Sequence, residues 1–434
     1  MRFIDLFAGI GGTRLGLEQA CEKLGINHEC VFSSEIDPKA CETYEMNFGD
    51  YPQGDITKIS AESIQQFDFL LAGFPCQPFS YAGKQQGFGD TRGTLFFEIE
   101  RILEHHRPKA FLLENVRGIT THDKGRTLKT IVSRLESLGY GVEYLLLNSS
   151  NYGVPQNRVR IYIVGIKGKK PKLTLESNVG SADSHQFKRQ MNEKQLTLPG
   201  FEETPKHVLL EDVLEVQPDE KYFCTEIFTE QLAKVVKNDF SSLHGKRLID
   251  YRGGNSIHSW ELGVKGDCSK DEIDFMNSLI SNRRRKEFGR HQDGKMLNLD
   301  QIKTFFNHAR LDEIIQGLLN KGYLKEVDGR YNPVCGNMSF EVFKFLDPKS
   351  ISLTLTSSDC HKLGIVQNNI PRRITPRECA RLQGFPESFI YHKDDTFAYK
   401  QFGNSVTVPV VKRVILDMFI NNSAVFSSEL PTVI

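Results

Sequence analysis

Residues 67–80 read Phe67-Asp68-Phe69-Leu70-Leu71-Ala72-Gly73-Phe74-Pro75-Cys76-Gln77-Pro78-Phe79-Ser80. The apolar first half is too short for a helix and is bounded by glycine and proline, so it predicts a buried strand. Cys76 follows at the sheet edge where open α/β folds hold their chemistry. Free cysteines are among the most buried residue types, so a structural thiol is one interpretation. The two flanking prolines and the polar loop favour the other interpretation, a partly exposed nucleophile.

Apolar runs of this kind recur through the first 168 residues and alternate with helix-like stretches. We predict strands at Phe3–Phe7, Val31–Glu35, Phe67–Ala72, Ala110–Glu114, Val142–Leu147 and Arg160–Ile166. Strands separated by helical crossovers predict an α/β fold with a parallel, doubly wound sheet. The 434 residues are enough for two domains with a full-sized core.

The composition limits the kinds of site and partner to be expected of this protein. The nine cysteines form no C-x-x-C pair, which favours reduced thiols over a zinc site. The formal net charge is zero, so any contact with nucleic acid must come from local patches. The sequence contains neither a signal-peptide pattern nor an apolar run long enough for a membrane span, and we expect a cytoplasmic location.

A glycine-rich turn, Phe7-Ala8-Gly9-Ile10-Gly11-Gly12, separates the first strand from a helix. Such glycines allow a ligand to approach the backbone at the helix N-terminus, although a tight structural turn explains them almost as well. Glu35 follows at the separation where related folds hold a ribose hydroxyl. Asp55 is either a third contact to the ligand or a helix N-cap. These residues predict an adenosine-containing cofactor and leave its identity open.

Polar residues also follow the later strands. The loop after Cys76 contains four glycines from Ser80 to Gly93 inclusive, which fits a mobile lid or an ordinary surface loop. Glu114 is either a solvated surface carboxyl or, in a closed pocket, a proton donor with a raised pKa. Strand alternation places Arg158 and Arg160 on one face, which favours an anionic or carbonyl ligand.

Taken in order, these motifs resemble those of the DNA (cytosine-5) methyltransferase family. The resemblance rests on Phe7–Gly12, Pro75–Gln77, Glu114–Val116, Gln156–Arg160, Arg373–Pro386 and Gln401–Val406. It covers residues 1 to about 168 and 371 to about 420. It implies a Rossmann-like, S-adenosylmethionine-dependent methyltransferase sheet with a smaller α+β target-recognition domain.

The resemblance also implies roles for individual residues. Cys76 would add to C6 of a flipped-out cytosine, Glu114 would assist at N3 and Arg160 would contact O2. S-adenosylmethionine would be bound by Phe7, Ala8, Gly9, Ile10, Gly11, Gly12, Glu35, Ile36, Asp55, Ile56, Gly73, Pro75, Leu95, Asn404 and Ser405. We further expect DNA contacts from Ser80, Arg158, Arg284 and Arg285.

The family motifs stop between residues 169 and 370, where we expect the target-recognition domain, between catalytic segments 1–168 and 371–434. Its basic run, Arg283-Arg284-Arg285-Lys286, is either a solvated face or a contact to DNA phosphates, and we favour the contact. Residues 297–345 resemble a winged-helix piece, with two helices and a hairpin that turns at Asp328-Gly329, but a subdomain that only packs fits the pattern equally.

The expected function is site-specific DNA cytosine-5 methylation of the prokaryotic restriction–modification type. The expected partners are double-stranded DNA and a cognate restriction endonuclease that acts separately, with no membrane, and the chain is expected to be a monomer. An RNA (tRNA) cytosine-5 methyltransferase of the same family is the closest alternative. A nicotinamide-dependent enzyme would leave Cys76, Glu114 and Arg160 unused, and a zinc deaminase would need a second cysteine after Pro75-Cys76. A non-catalytic DNA-binding protein would not need the thiol.

Overall fold

A computed structural model describes residues 1–75, 95–180, 208–251, 253–289, 296–334 and 340–429. The chain forms two compact units. Unit 1 comprises Met1–Leu214, Lys349–Cys360 and Pro376–Ile434, and unit 2 comprises Glu215–Pro348 and His361–Thr375. The first division therefore follows Leu214 rather than residue 168. Lys349–Cys360 belongs to unit 1, although the sequence placed it within the insertion.

The first part of unit 1 alternates strands and helices. Its elements are β1 (Arg2–Leu6), α1 (Gly12–Leu24), β2 (Glu29–Ser34), α2 (Pro38–Phe48), β3 (Phe69–Gly73), α3 (Leu95–His106), β4 (Ala110–Val116), α4 (Arg126–Ser137), β5 (Tyr140–Asn148) and β6 (Val159–Lys167). All six predicted strands are present, with ends shifted by a few residues. A sequence signal explains the start of α2, which begins with Pro38 and is capped by the Asp37 side chain accepting from the Lys39 amide.

These strands form one sheet in the order β2-β1-β3-β4-β6-β5. The pairs β1–β2, β1–β3 and β3–β4 are parallel, as predicted. β6 runs antiparallel to both of its neighbours, so the prediction of a wholly parallel sheet is wrong at this edge. The connection from Asn148 to Val159 is too short for the helical crossover that a parallel pair requires.

Unit 2 contains short strands and helices. Its elements are α5 (Glu226–Val236), β7 (Arg247–Leu248), β8 (Ser256–Ile257), α6 (Ser259–Leu262), α7 (Lys270–Asn282), β9 (Leu297–Asn298), α8 (Leu299–Lys303), α9 (Leu311–Asn320), β10 (Leu324–Val327), β11 (Arg330–Pro333), β12 (Lys344–Phe345), β13 (Leu363–Gln367) and β14 (Ile370–Arg373). One sheet has the order β14-β13-β12-β7-β8, and a second has the order β10-β11-β9.

The second sheet and the helices α7 to α9 have the chain order of a winged-helix module: helix, strand, two helices and a hairpin. Asp328 and Gly329 both have positive φ, 51° and 69°, as the two-residue hairpin turn requires. One apolar core, which includes Phe275, Leu318 and Tyr323, holds these elements together. The hairpin lies where the sequence predicted it, and the module begins earlier, at α7.

Three helices return the chain to unit 1: α10 (Pro376–Leu382), α11 (Asp395–Asn404) and α12 (Val408–Asn421). α12 packs on α1, where a Cβ on Gly16 would lie 2.5 Å from Val411 Cγ1. Both faces of the large sheet are buried, because Phe3 joins the core of α1 and α12 while Ile4 joins the core on the opposite face. Across the described parts of the chain, no helix combines the length and the apolar character that a membrane span needs.

Candidate active site

The carboxyl ends of β1 to β4 meet at one cavity of about 1000 Å³. The wall contains most of the site residues that the sequence predicted: Phe7, Ala8, Gly9, Ile10, Gly12, Glu35, Ile36, Asp55, Ile56, Gly73, Pro75, Leu95, Glu114, Arg158, Arg160, Asn404 and Ser405. Gly11 belongs to the same glycine turn but does not line the cavity. Arg284 and Arg285 belong to unit 2, and Cys76 and Ser80 lie outside the described residues.

The glycine turn is tied to the end of β2. The Ala8 amide donates to the Ser34 carbonyl at 2.9 Å, and the Gly9 amide donates to Glu35 Oε2 at 2.8 Å. Gly11 has φ 83°, and a Cβ there would lie 2.1 Å from the Phe48 ring. Glycine is therefore required at this position by both conformation and space, which accounts for one of the glycines in the sequence motif.

The acidic residues predicted to bind the cofactor have fixed orientations. The amides of Ile36 and Asp37 each donate to Glu35 Oε1 at 2.9 Å, so Glu35 is held by backbone on both oxygens. Asp55 accepts from the Thr57 amide at 3.0 Å and caps a 3-10 turn, and it also lines the cavity. The two interpretations of Asp55 from the sequence, a ligand contact and an N-cap, are therefore compatible. The side-chain hydrogen bond from Thr57 is the main cause that lowers the pKa of Asp55.

A buried pair of a carboxyl and a guanidinium group forms another part of the wall. Glu114 in β4 is 8 % exposed, and its Oε1 lies 3.2 Å from Arg160 Nε. Burial raises the pKa of Glu114, while the charges of Arg160 and then Arg158 act in the opposite direction. The carboxyl therefore keeps its proton to a higher pH than a solvated glutamate does. Gly73 of β3 is paired in register with Glu114, so the chain leaves β3 beside this carboxyl.

Asn115 anchors the segment that leads to Cys76. Its Nδ2 donates to the Phe74 carbonyl at 2.9 Å, two residues before the cysteine. The Phe74 side chain is buried, with its ring centroid 6.1 Å from that of Phe96. No role for Asn115 was predicted from the sequence, although its place within the Glu114–Val116 motif was a signal.

Arg158 is 2 % exposed, and its guanidinium donates to backbone carbonyls. Nη1 donates to Leu355 at 2.7 Å, and Nη2 donates to Ser405 at 2.6 Å. These bonds give Arg158 a positioning role within the cavity wall, and its expected contact to DNA stays a prediction. Leu355 belongs to the Lys349–Cys360 segment of unit 1, which contains none of the motifs recognised in the sequence.

Buried amides hold the segment that carries Asn404 and Ser405. Gln156 Nε2 donates to the Leu382 carbonyl at 2.8 Å, and Gln383 Nε2 donates to the Phe402 carbonyl at 2.8 Å. Ser405 packs on the glycine turn, since a Cβ on Gly12 would lie 2.8 Å from Ser405 Oγ. The glycine turn near the start of the chain and the Asn404–Ser405 segment near its end therefore line one cavity.

The sequence also missed several wall residues. These include Thr13, Ser34, Glu98, Lys400 and Gly403. Ser34 directly precedes the acidic residue at the end of β2, which was the available signal. Within the described residues, no group of three or more His, Cys, Asp and Glu side chains is arranged to hold a metal ion.

Comparison with known proteins gives concordant results. A family model described as C-5 cytosine-specific DNA methylase matches residues 1–419. Type II methyltransferase M.BanI of Aneurinibacillus aneurinilyticus is 69% identical over 422 residues, which cover 97% of this chain and 96% of that protein. Type II methyltransferase M.HgiCI of Herpetosiphon aurantiacus is 64% identical over 419 residues, covering 96% and 98%. The crystal structure of S. pombe Dnmt2 methyltransferase superposes with a TM-score of 0.51 at 20% identity, covering 97% of this chain and 98% of that one, a likeness of fold alone.

Proposed function

This chain belongs to the C-5 cytosine-specific DNA methylase family, and we propose that Cys76, Glu114 and Arg160 carry out its reaction, the methylation of cytosine C5 in DNA. The observation that carries this proposal is the buried Glu114–Arg160 pair in the wall of the same cavity as Glu35 and the glycine turn. The pair combines a proton donor with a fixed positive charge beside the strand that leads to Cys76. This is the arrangement needed to activate a pyrimidine ring.

S-adenosylmethionine is the methyl donor that we propose for the cavity, and the residues present fit it. Glu35 offers a fixed carboxylate for ribose hydroxyls, Ile36 and Ile56 offer apolar contacts for adenine, and Asp55 offers an acceptor for its amino group. Asn404 and Ser405 would close the methionine end. When bound, the donor supplies an electrophilic methyl group.

The chain's own residues would make C5 reactive. Cytosine C5 is a poor nucleophile, and the Cys76 thiolate would add to C6 with formation of the S–C6 bond. Glu114 would share its proton with N3, and Arg160 would stabilise the negative charge at O2 as the adduct forms. After methylation a base, for which we propose water, removes the C5 proton, and the S–C6 bond breaks to restore the thiolate. The target base must leave the duplex stack to reach the cavity.

Unit 2 is the proposed target-recognition domain, and double-stranded DNA is the proposed substrate. The high identity to two type II methyltransferases favours DNA over RNA. It also supports the proposal that a separate restriction endonuclease shares the recognition sequence. We propose that the Gln77–Arg92 loop closes over the flipped base, with Ser80 on a phosphate. The monomeric state is likewise a proposal.

Transfer of a labelled methyl group to duplex DNA and to tRNA tests the proposal. Cys76→Ala should abolish transfer to DNA while cofactor binding persists.

Glu114→Gln should lower the rate on the order of a hundredfold, with a modest change in DNA affinity, because the proton donor is lost. Normal turnover by Cys76→Ala would refute the nucleophile, and an unchanged rate for Glu114→Gln would remove the role of the acid. Transfer to tRNA alone would overturn the choice of DNA.

A further inference from the structure

Ser34 is the last residue of β2 and directly precedes Glu35. The residue is 1 % exposed, and Ser34 Oγ has no hydrogen-bond partner among the described residues. A hydroxyl left unpaired in a protein interior is costly, and native proteins usually satisfy it. The partner is therefore expected to come from a bound molecule.

The position of Ser34 indicates which bound molecule would supply the hydrogen-bond partner. Ser34 lines the cavity together with Glu35, Asp55 and Ile56, the residues proposed to hold ribose and adenine. Its carbonyl accepts from the Ala8 amide at 2.9 Å, so its backbone is fixed against the glycine turn. In the β1–β2 register Ser34 is paired with Leu6, which places the two side chains on the same face of the sheet.

Ser33 provides an internal comparison. It is also buried, but its side chain lies on the opposite face of β2, because successive residues of a strand alternate. Ser33 Oγ donates to Asp50 Oδ2 at 3.5 Å, and Ser33 does not line the cavity. Of these two neighbouring hydroxyls, the one with a partner from the protein lies away from the cavity, and the unpaired one lies at the cavity.

We propose that the Ser34 hydroxyl hydrogen-bonds to the nucleoside half of the methyl donor. The inference rests on the proposed function, since it concerns the same cavity. A serine hydroxyl both donates and accepts, so a ring nitrogen or a ribose oxygen satisfies it equally. Rotation about a single side-chain bond between staggered positions turns the hydroxyl to its partner.

The test compares the full chain with its Ser34→Ala and Ser33→Ala variants. Calorimetry gives the Kd for S-adenosylhomocysteine and for adenosine, and a thermal scan gives the Tm of the ligand-free protein. Ser34→Ala should weaken both ligands by the same factor, on the order of three- to tenfold, because one hydrogen bond to the shared nucleoside is lost. Its ligand-free Tm should be unchanged or higher, because the unpaired hydroxyl is gone.

Ser33→Ala should leave both affinities within about twofold of the unmodified chain and should lower the ligand-free Tm, because it loses a bond within the protein. Unchanged affinities in Ser34→Ala would overturn the inference. So would a loss of affinity for S-adenosylhomocysteine without one for adenosine, or a drop in ligand-free Tm that accompanies the loss. Failure of the proposed function is a different result: the unmodified chain would then bind neither ligand and transfer no methyl group.

Discussion

Asp5 shows how a single buried residue can make the stability of the fold depend on pH. It lies in β1 with no exposed surface, its Oδ1 accepts from Thr13 Oγ1 at 2.8 Å, and no described residue bonds its Oδ2. Burial raises the pKa of Asp5 from its ordinary 3.8 to about 7, against the opposing effects of Thr13 and Arg14. The folded protein therefore favours the neutral form of Asp5 over the charged form.

Asp5→Asn tests this assignment. Because the folded pKa exceeds the unfolded one, the contribution of Asp5 to the free energy of unfolding is full below about pH 4 and is lost as the pH rises through about 7. Asparagine is neutral throughout, so the variant should gain on the order of 4 kcal/mol relative to the unmodified chain between about pH 4 and pH 8. Urea unfolding at both pH values measures this gain. Exposed Glu22→Gln is the control, and a pH-independent difference for Asp5→Asn would contradict the assignment.

The place of a side chain at the cavity was predictable where it follows directly from a strand end. It was not predictable where it depends on partners far away in the sequence. Glu35 and Asp55 line the cavity as expected from their places after strands. The bonds from Arg158 to the carbonyls of residues 355 and 405 were not predictable, because no local pattern reports contacts so far along the chain. The unpaired hydroxyl of Ser34 could be found only once neighbouring atoms were placed.

At the scale of elements, apolar runs located the strands but did not determine their directions. β6 is as apolar as a buried parallel strand, yet it is antiparallel. The connection from Asn148 is too short for a parallel crossover and was the signal of this direction. In unit 2, the Asp328-Gly329 turn predicted its hairpin because two consecutive positive φ angles favour these residue types. The strand β9 was missed because it has only two residues, too few for any periodicity.

The basic run after α7 contains residues with different environments. Arg283 is buried, and its Nη1 donates to Asn332 Oδ1 at 2.6 Å, whereas Arg285 is exposed and lies 3.4 Å from Glu287 Oε1. Arg283 therefore ties the end of α7 to the strand β11. Arg285 has the exposure that a phosphate contact requires.

Arg285→Ala should weaken duplex binding and reduce the slope of log affinity against log salt by about one, because one fewer counterion is released. Cofactor affinity should not change. Lys129→Ala removes one exposed positive charge from α4 in unit 1 and serves as the charge-matched control. Titration of duplex DNA at several salt concentrations gives both slopes. Equal slopes for the two variants would place the DNA contact elsewhere.

At the scale of the whole molecule, the sequence indicated that an insertion divides the catalytic unit, because the family motifs stop and resume. It did not indicate that Lys349–Cys360 rejoins unit 1 in between. That return depends on backbone bonds, such as the Asn157 amide to the Ser352 carbonyl at 2.8 Å, which can form with many sequences. The segment supports Arg158 and thereby part of the cavity wall.

The central claim is that Cys76 forms a transient bond to the target base, and duplex DNA with 5-fluorocytosine in place of cytosine tests it most directly. Fluorine cannot leave as a proton does, so after methyl transfer the S–C6 bond should persist. With S-adenosylmethionine present, peptide mass spectrometry should find a methylated fluorocytosine adduct on Cys76. Absence of any adduct from a chain that methylates ordinary DNA, or an adduct on another of the nine cysteines, would contradict the account.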